Sequence, residues 1–101
     1  MDLYIRNTDK TLLLKANEIT VRPIATSSGK HGQVMYRVLF DYDSELNNNE
    51  KLEFAVYVND LVCGTYSTKE KALKVLDEIQ KFINYWGTDQ VYEMPADNEV
   101  K

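Results

Sequence analysis

The chain has 101 residues, 44% hydrophobic and 28% charged, the size and balance of one globular domain, too ordered for a disordered chain and too short for two ordinary domains. Its 12 Lys and Arg stand against 16 Asp and Glu, a net charge of −4, so it lacks the basic face with which a general nucleic-acid binder neutralises phosphates. The single cysteine, Cys63, excludes an internal disulfide, and no stretch is apolar over the length that spans a bilayer.

Leu3-Tyr4-Ile5-Arg6 reads as a short strand, closed by the turn-formers Asn7-Thr8-Asp9-Lys10. Thr11 to Pro23 follows as a second strand run. Leu12, Leu14 and Ala16 share one parity while Ile19 and Val21 share the other, which predicts a β-bulge at Asn17-Glu18. Pro23 is expected to end the regular pairing or mark an edge. Ala25 to Gln33 reads as a loop with Gly29 and Gly32. From Val34 to Tyr42, Val34, Tyr36, Val38, Phe40 and Tyr42 alternate with Met35, Arg37, Leu39 and Asp41, a strand period. Asp43 to Lys51, with Asn47-Asn48-Asn49, reads as a loop.

Leu52 to Val58 is the next strand, turned by Asn59-Asp60, whose side chains tolerate positive φ. The return strand, Leu61 to Tyr66, then sets Val58 opposite Leu61, Val56 opposite Cys63 and Ala55 opposite Gly64. Gly64 beside Ala55 leaves a low spot, most simply filled by a helix. Ser67 is the expected N-cap, with Glu70 completing a capping box. Ala72, Leu76, Ile79, Ile83 and Trp86 recur at helical spacing, widened by Leu73, Val75 and Phe82, with Lys69, Lys71, Lys74, Asp77, Glu78 and Lys81 facing water. Gly87 is placed to stop the helix. Val91-Tyr92-Glu93-Met94 predicts a last short strand before Pro95, and residues 96–101 a charged, mobile tail. The reading is a single α+β domain over residues 1–95: a curved antiparallel sheet of about five strands packed on one C-terminal amphipathic helix. The other sheet face is half polar and rich in Tyr and Arg.

Reactive groups are scarce. His31 lies in a Gly-rich loop and Cys63 in an apolar strand, with no pattern joining them, so Cys63 reads as a small buried hydrophobe. No Cys or His cluster suits zinc. Asp41-Tyr42-Asp43-Ser44-Glu45 is acidic but lacks the turn glycine and later Glu of a calcium loop. No catalytic residue, metal or cofactor is therefore expected, and the chain reads as a binder and not an enzyme. Ser27-Ser28-Gly29-Lys30-His31-Gly32 could wrap a phosphate through backbone N–H groups and a lysine charge, without being a Walker A motif; the plainer reading is a hairpin tip. Arg6, Arg22 and Arg37 beside Tyr4, Tyr36 and Tyr57 could line a pocket for a flat charged ligand, or be ordinary exposed strand residues. The candidate ligand contacts are Arg22, Ser28, Gly29, Lys30, His31, Tyr36 and Arg37. The acidic residues Asp41, Asp43, Glu45, Glu50, Glu53, Glu93, Asp97 and Glu99 could instead face a basic partner surface.

The run Gly64-Thr65-Tyr66-Ser67-Thr68-Lys69-Glu70-Lys71-Ala72-Leu73-Lys74-Val75-Leu76-Asp77-Glu78-Ile79-Gln80, then Val91-Tyr92-Glu93-Met94-Pro95, with the start Tyr4-Ile5-Arg6-Asn7-Thr8-Asp9-Lys10, resembles a loose group of small uncharacterised proteins from phages and prophages of low-GC Gram-positive bacteria. The likeness covers both ends of the chain, and Ile24 to Leu52 stands outside it. It carries no catalytic residue. It implies a stoichiometric inhibitor acting in the host cytoplasm, in keeping with a start, Met1-Asp2-Leu3, that lacks the basic region of a secretory signal. The implied partner is a host defence protein or a small nucleotide signal of antiviral defence; the alternative is a protein–protein adaptor in phage regulation or assembly. Pairing of two copies through a sheet edge or face is a further expectation.

Overall fold

The computed structural model describes residues 2–39, 45–86 and 90–101, with backbone alone at 84–86. Its elements in chain order are β1 (Leu3–Arg6), β2 (Leu13–Lys15), β3 (Ile19–Ser28), β4 (Val34–Val38), β5 (Lys51–Val58), β6 (Leu61–Tyr66), α1 (Lys69–Trp86) and β7 (Gln90–Glu93), with 3₁₀ turns at Lys30–Gly32 and Asp97–Glu99. The fold class is α+β, with one long helix late in the chain. The strands divide into two sheets, ordered β2-β1-β7 and β4-β3-β5-β6. The larger is antiparallel throughout. In the smaller, β1 runs antiparallel to β2 and parallel to β7.

The parity switch at Asn17-Glu18 is a change of sheet and not a bulge. β2 pairs with β1, while β3 pairs with β5. Asn59 secures the crossing: its Oδ1 accepts the Asn17 and Glu18 N–H groups at 2.8 and 3.2 Å, and its Nδ2 donates to the Lys15 carbonyl at 2.7 Å. Asn59 can do this from the β5–β6 turn because it and Asp60 adopt φ of 51° and 67°, the left-handed pair a two-residue hairpin needs.

β3 is longer than the sequence pattern predicts. The expected loop at 25–33 shrinks to the turn after Ser28, and Ala25 and Thr26 are buried strand residues. Pro23 sits inside β3. It pairs with Phe54 on β5, and its carbonyl accepts the Leu39 N–H on the β4 side. The donor it lacks therefore faces β4 at the point where that ladder ends, which is where a proline is tolerated. Phe40, Asp41, Tyr42, Asp43, Ser44 and Gly87, along with the Trp86 side chain, lie outside the described residues.

The β5–β6 register begins as expected, with Val58 opposite Leu61 and Tyr57 opposite Val62, then shifts by one residue. Val56 faces Gly64, and Ala55 faces Thr65. The shift falls at Cys63, whose carbonyl leaves the ladder to accept the Thr8 N–H at 3.0 Å. A long-range bond to the β1–β2 turn thus holds the bulge, and Cys63 joins the main core.

That core lies between α1 and one face of the large sheet. Ala72, Val75 and Ile79 of α1 pack with Phe54, Val56, Val58, Cys63 and Tyr66, together with Ile5, Met94 and Val100. Leu73 and Ile83, placed in the apolar stripe by their spacing, are 40% and 43% exposed. Thr68, not Ser67, caps α1: its Oγ1 accepts the Lys71 N–H at 3.2 Å. Ser67 instead donates its N–H and hydroxyl to Asp97 Oδ1 at 2.8 and 3.0 Å. Residues 96–101, expected as a mobile tail, are packed against the domain by this contact, by the Lys71–Asp97 ion pair at 3.4 Å and by buried Val100.

Candidate functional site

Side chains alternate across a strand, so the face of the large sheet turned away from α1 is read directly from β3. Ile19 and Val21 pack toward the helix core. Thr20, Arg22, Ile24, Thr26 and Ser28 take the opposite parity. The ladders add Val38, Tyr36 and Val34 from β4 and Tyr57, Ala55, Glu53 and Lys51 from β5 to the same face. This face has a small core of its own, Ile24, Ala55 and Tyr57 with Val62 beside them.

The Arg22 guanidinium lies 5.6 Å from the Tyr57 ring centroid, within cation–π range. Tyr57 is only 7% exposed, and its hydroxyl is buried with no hydrogen-bond partner. Burial is the main force holding the Tyr57 phenol above its ordinary pKa; Tyr36 adds to it and Arg22 opposes it. Farther along, the Thr26 hydroxyl donates to Glu53 Oε1 at 2.6 Å. A depression of about 230 Å³ opens there between Ser28, Val34, Asn49 and Lys51.

Of the residues expected to share a ligand, Arg22 lies on this face beside Tyr57; Tyr36 shares the face opposite Thr26, four residues or about 13 Å farther along the ladder, and Ser28 lies at its far end. Arg37 does not join them. As the neighbour of Tyr36 in a strand it takes the opposite face, opposite Ala25. There its Nε and Nη2 donate to Glu50 at 3.2 and 2.8 Å, and Nη2 also to the Glu45 carbonyl at 3.1 Å. This pairing holds the Glu50 carboxyl below its ordinary range, with the Asn47 N–H assisting, and raises the Arg37 guanidinium. Arg6 belongs to the small sheet and pairs with Glu93 at 3.9 Å.

Gly29, Lys30 and His31 form the β3–β4 tip. His31 and Gly32 have φ of 66° and 74°, and Lys30 and His31 are exposed. Ser28 at the base of the tip is six residues beyond Arg22 in the same strand, about 20 Å away, so the tip and the Arg22–Tyr57 pair do not form one pocket.

Cys63 is buried, and burial pushes its thiol up despite a hydrogen bond from the Val58 backbone. Among the described residues no group of three or more His, Cys, Asp or Glu is arranged to hold a metal ion, and no helix is long and apolar enough to cross a membrane. The acidic run Asp41 to Ser44 lies outside the described residues.

Sequence reasoning missed Val34 and Val38 as surface residues, since alternation marks two faces without saying which is covered. The exposures are 72% for Val34, 53% for Met35, 53% for Tyr36 and 47% for Val38. No protein-family model matches the chain, and comparisons with curated proteins and with solved structures give no match.

Proposed function

We propose that the chain is a non-catalytic binding protein of the phage accessory kind, interfering with a host process, antiviral defence, by occupying a host protein with the face of its large sheet turned away from α1, which is uncovered along β4. The observation that carries this reading is strand β4, in which every residue is exposed although four of the five are apolar or aromatic. Exposed apolar surface of this kind marks interaction sites. Beside it lies the Arg22–Tyr57 pair, and Tyr and Arg are the residue types that dominate interface energies.

A second reading, sequestration of a nucleotide signal, is supported by Arg22 and Tyr36 lying on one face, so that a base stacked on Tyr36 has Arg22 farther along the same face for its phosphate. It has less support, because Arg37 is engaged by Glu50 and the Gly29–His31 tip lies a strand's length from Arg22.

Capture from host lysate separates these readings. The wild type is expected to retain a discrete host protein, identified by mass spectrometry, that Arg22→Glu and Tyr36→Glu both release. A phage-encoded partner would support the adaptor instead. A melting-temperature rise with a cyclic dinucleotide or an ADP-ribose derivative, lost in Arg22→Ala, would favour the nucleotide branch. Turnover of any substrate would end the proposal.

A further inference from the structure

The hydrogen-bonding parity of β4 can be read from its two ends. At one end the Gly29 N–H donates to the Gln33 carbonyl; at the other the Leu39 N–H donates to the Pro23 carbonyl. Between them Ser28 faces Val34, Ser27 faces Met35, Thr26 faces Tyr36, Ala25 faces Arg37 and Ile24 faces Val38. Opposed residues in an antiparallel ladder alternate between pairs that exchange hydrogen bonds and pairs that do not. The bonded residues of β4 are therefore Met35 and Arg37. Val34, Tyr36 and Val38 turn their N–H and C=O groups outward, to an edge where, among the described residues, no strand pairs with them.

We propose that a second copy of the chain occupies this edge, antiparallel about a twofold axis at Tyr36, so that two four-stranded sheets become one continuous sheet. The proposal rests on the reading of the uncovered face as the working surface, and adds that the surface is shared by two subunits.

Three features favour a second copy over a foreign strand. The first is register. With Tyr36 opposite Tyr36, Val34 falls opposite Val38, and every outward donor on one chain meets an outward acceptor on the other. A shift by one residue would bring inward-turned groups to the edge and lose the bonds.

The second is the side-chain pattern. Val34-Met35-Tyr36-Arg37-Val38 has valines equidistant from the central tyrosine, as an isologous contact requires. On the uncovered face two Tyr36 rings meet between two Val34–Val38 pairs, covering the three residues that are 72%, 53% and 47% exposed. On the other face Met35 lies against the aliphatic stem of Arg37 from the second copy. The Arg37 charge remains on Glu50, so no unpaired charge is buried.

The third is the absence of the usual protection. Edge strands are commonly blunted by lysine, proline, a bulge or an inward charge. Between Val34 and Val38 the one charge is Arg37, already neutralised by Glu50 at 2.8 Å. Pairing would place two Arg22–Tyr57 sites on one face, roughly 30 Å apart, with the Tyr36 pair midway. That spacing suits a partner that is itself twofold or touches the surface twice.

Sedimentation equilibrium from micromolar to millimolar concentration should show a mass rising from 11.7 kDa toward twice that value. Tyr36→Lys, which places two ammonium groups at the axis, should hold the chain monomeric, while Leu61→Lys on the opposite edge strand should leave dimerisation unchanged. Hydrogen exchange needs no variant. The Val34, Tyr36 and Val38 amides should gain protection as concentration rises, and the Met35 and Arg37 amides, already bonded to β3, should not. A chain that stays monomeric throughout, or a dimer whose Val34, Tyr36 and Val38 amides ignore concentration, overturns the proposal. A monomer that still captures a host protein through Arg22 and Tyr36 refutes the pairing and leaves the binding reading standing. A dimer with the alternating protection that captures nothing supports the pairing and removes the binding reading.

Discussion

Gly64 and Tyr66 occupy one volume on the helix side of β6. A Cβ at Gly64 would stand 2.8 Å from the Tyr66 hydroxyl oxygen and 3.1 Å from Met94 Cε. The tyrosine cannot swing away, because it is fully buried and donates to the Pro95 carbonyl at 2.8 Å. The low spot expected where Gly64 meets Ala55 does not form: Gly64 faces Val56, and the space over it is filled by Tyr66 of the same strand. Gly64→Ala should cost about 1–3 kcal/mol, measured by urea unfolding. Tyr57 presents the opposite case. Its hydroxyl is buried and unpartnered, so removing it relieves a desolvation cost. Tyr57→Phe should leave stability unchanged or raise it by up to about 1 kcal/mol.

At the level of elements, the β5–β6 hairpin and α1 were legible in the sequence because local chemistry decides them: Asn59-Asp60 tolerates positive φ, and apolar spacing marks the helix face. What escaped was decided at long range. The switch in parity at Asn17-Glu18 was visible, but a bulge and a change of sheet invert parity alike. The register shift at Cys63 depends on a bond to Thr8, and the cap moved to Thr68 because Asp97 takes the polar groups of Ser67. Residue type alone groups Arg37 with Arg22 and Tyr36, but alternation places adjacent Tyr36 and Arg37 on opposite faces. The Ser67–Asp97 contact also has a pH signature. The Ser67 N–H is the chief cause of a depressed Asp97 pKa, helped by the Ser67 hydroxyl and Lys71. A lowered native pKa means that the unfolded chain binds the proton first as pH falls. The stabilisation is therefore complete above the ordinary aspartate value of about 4 and is lost as pH drops through the lower native one. Urea midpoints between pH 5 and pH 2 should fall less steeply in Asp97→Asn than in the wild type.

Across the whole molecule, the two sheets share one core. Ile5 from β1, and Met94 and Val100 from beyond β7, complete the packing of α1 on β5 and β6. β7 is also held to the helix by an edge-on contact of Phe82 with Tyr92 at 5.4 Å and by the Tyr92 hydroxyl, which donates to Glu78 at 3.1 Å. The uncovered face and the β4 edge lie on the larger sheet, whose strands are consecutive in the chain from β3 to β6. The smaller sheet is different: β1 and β7 run side by side, with Leu3 opposite Gln90 and Arg6 opposite Glu93. A ribosome releases the chain in order, so β1 emerges long before its parallel neighbour. Contacts this far apart in sequence close slowly. The larger sheet can assemble as soon as β6 is made, while the smaller one must wait until α1 and β7 have followed.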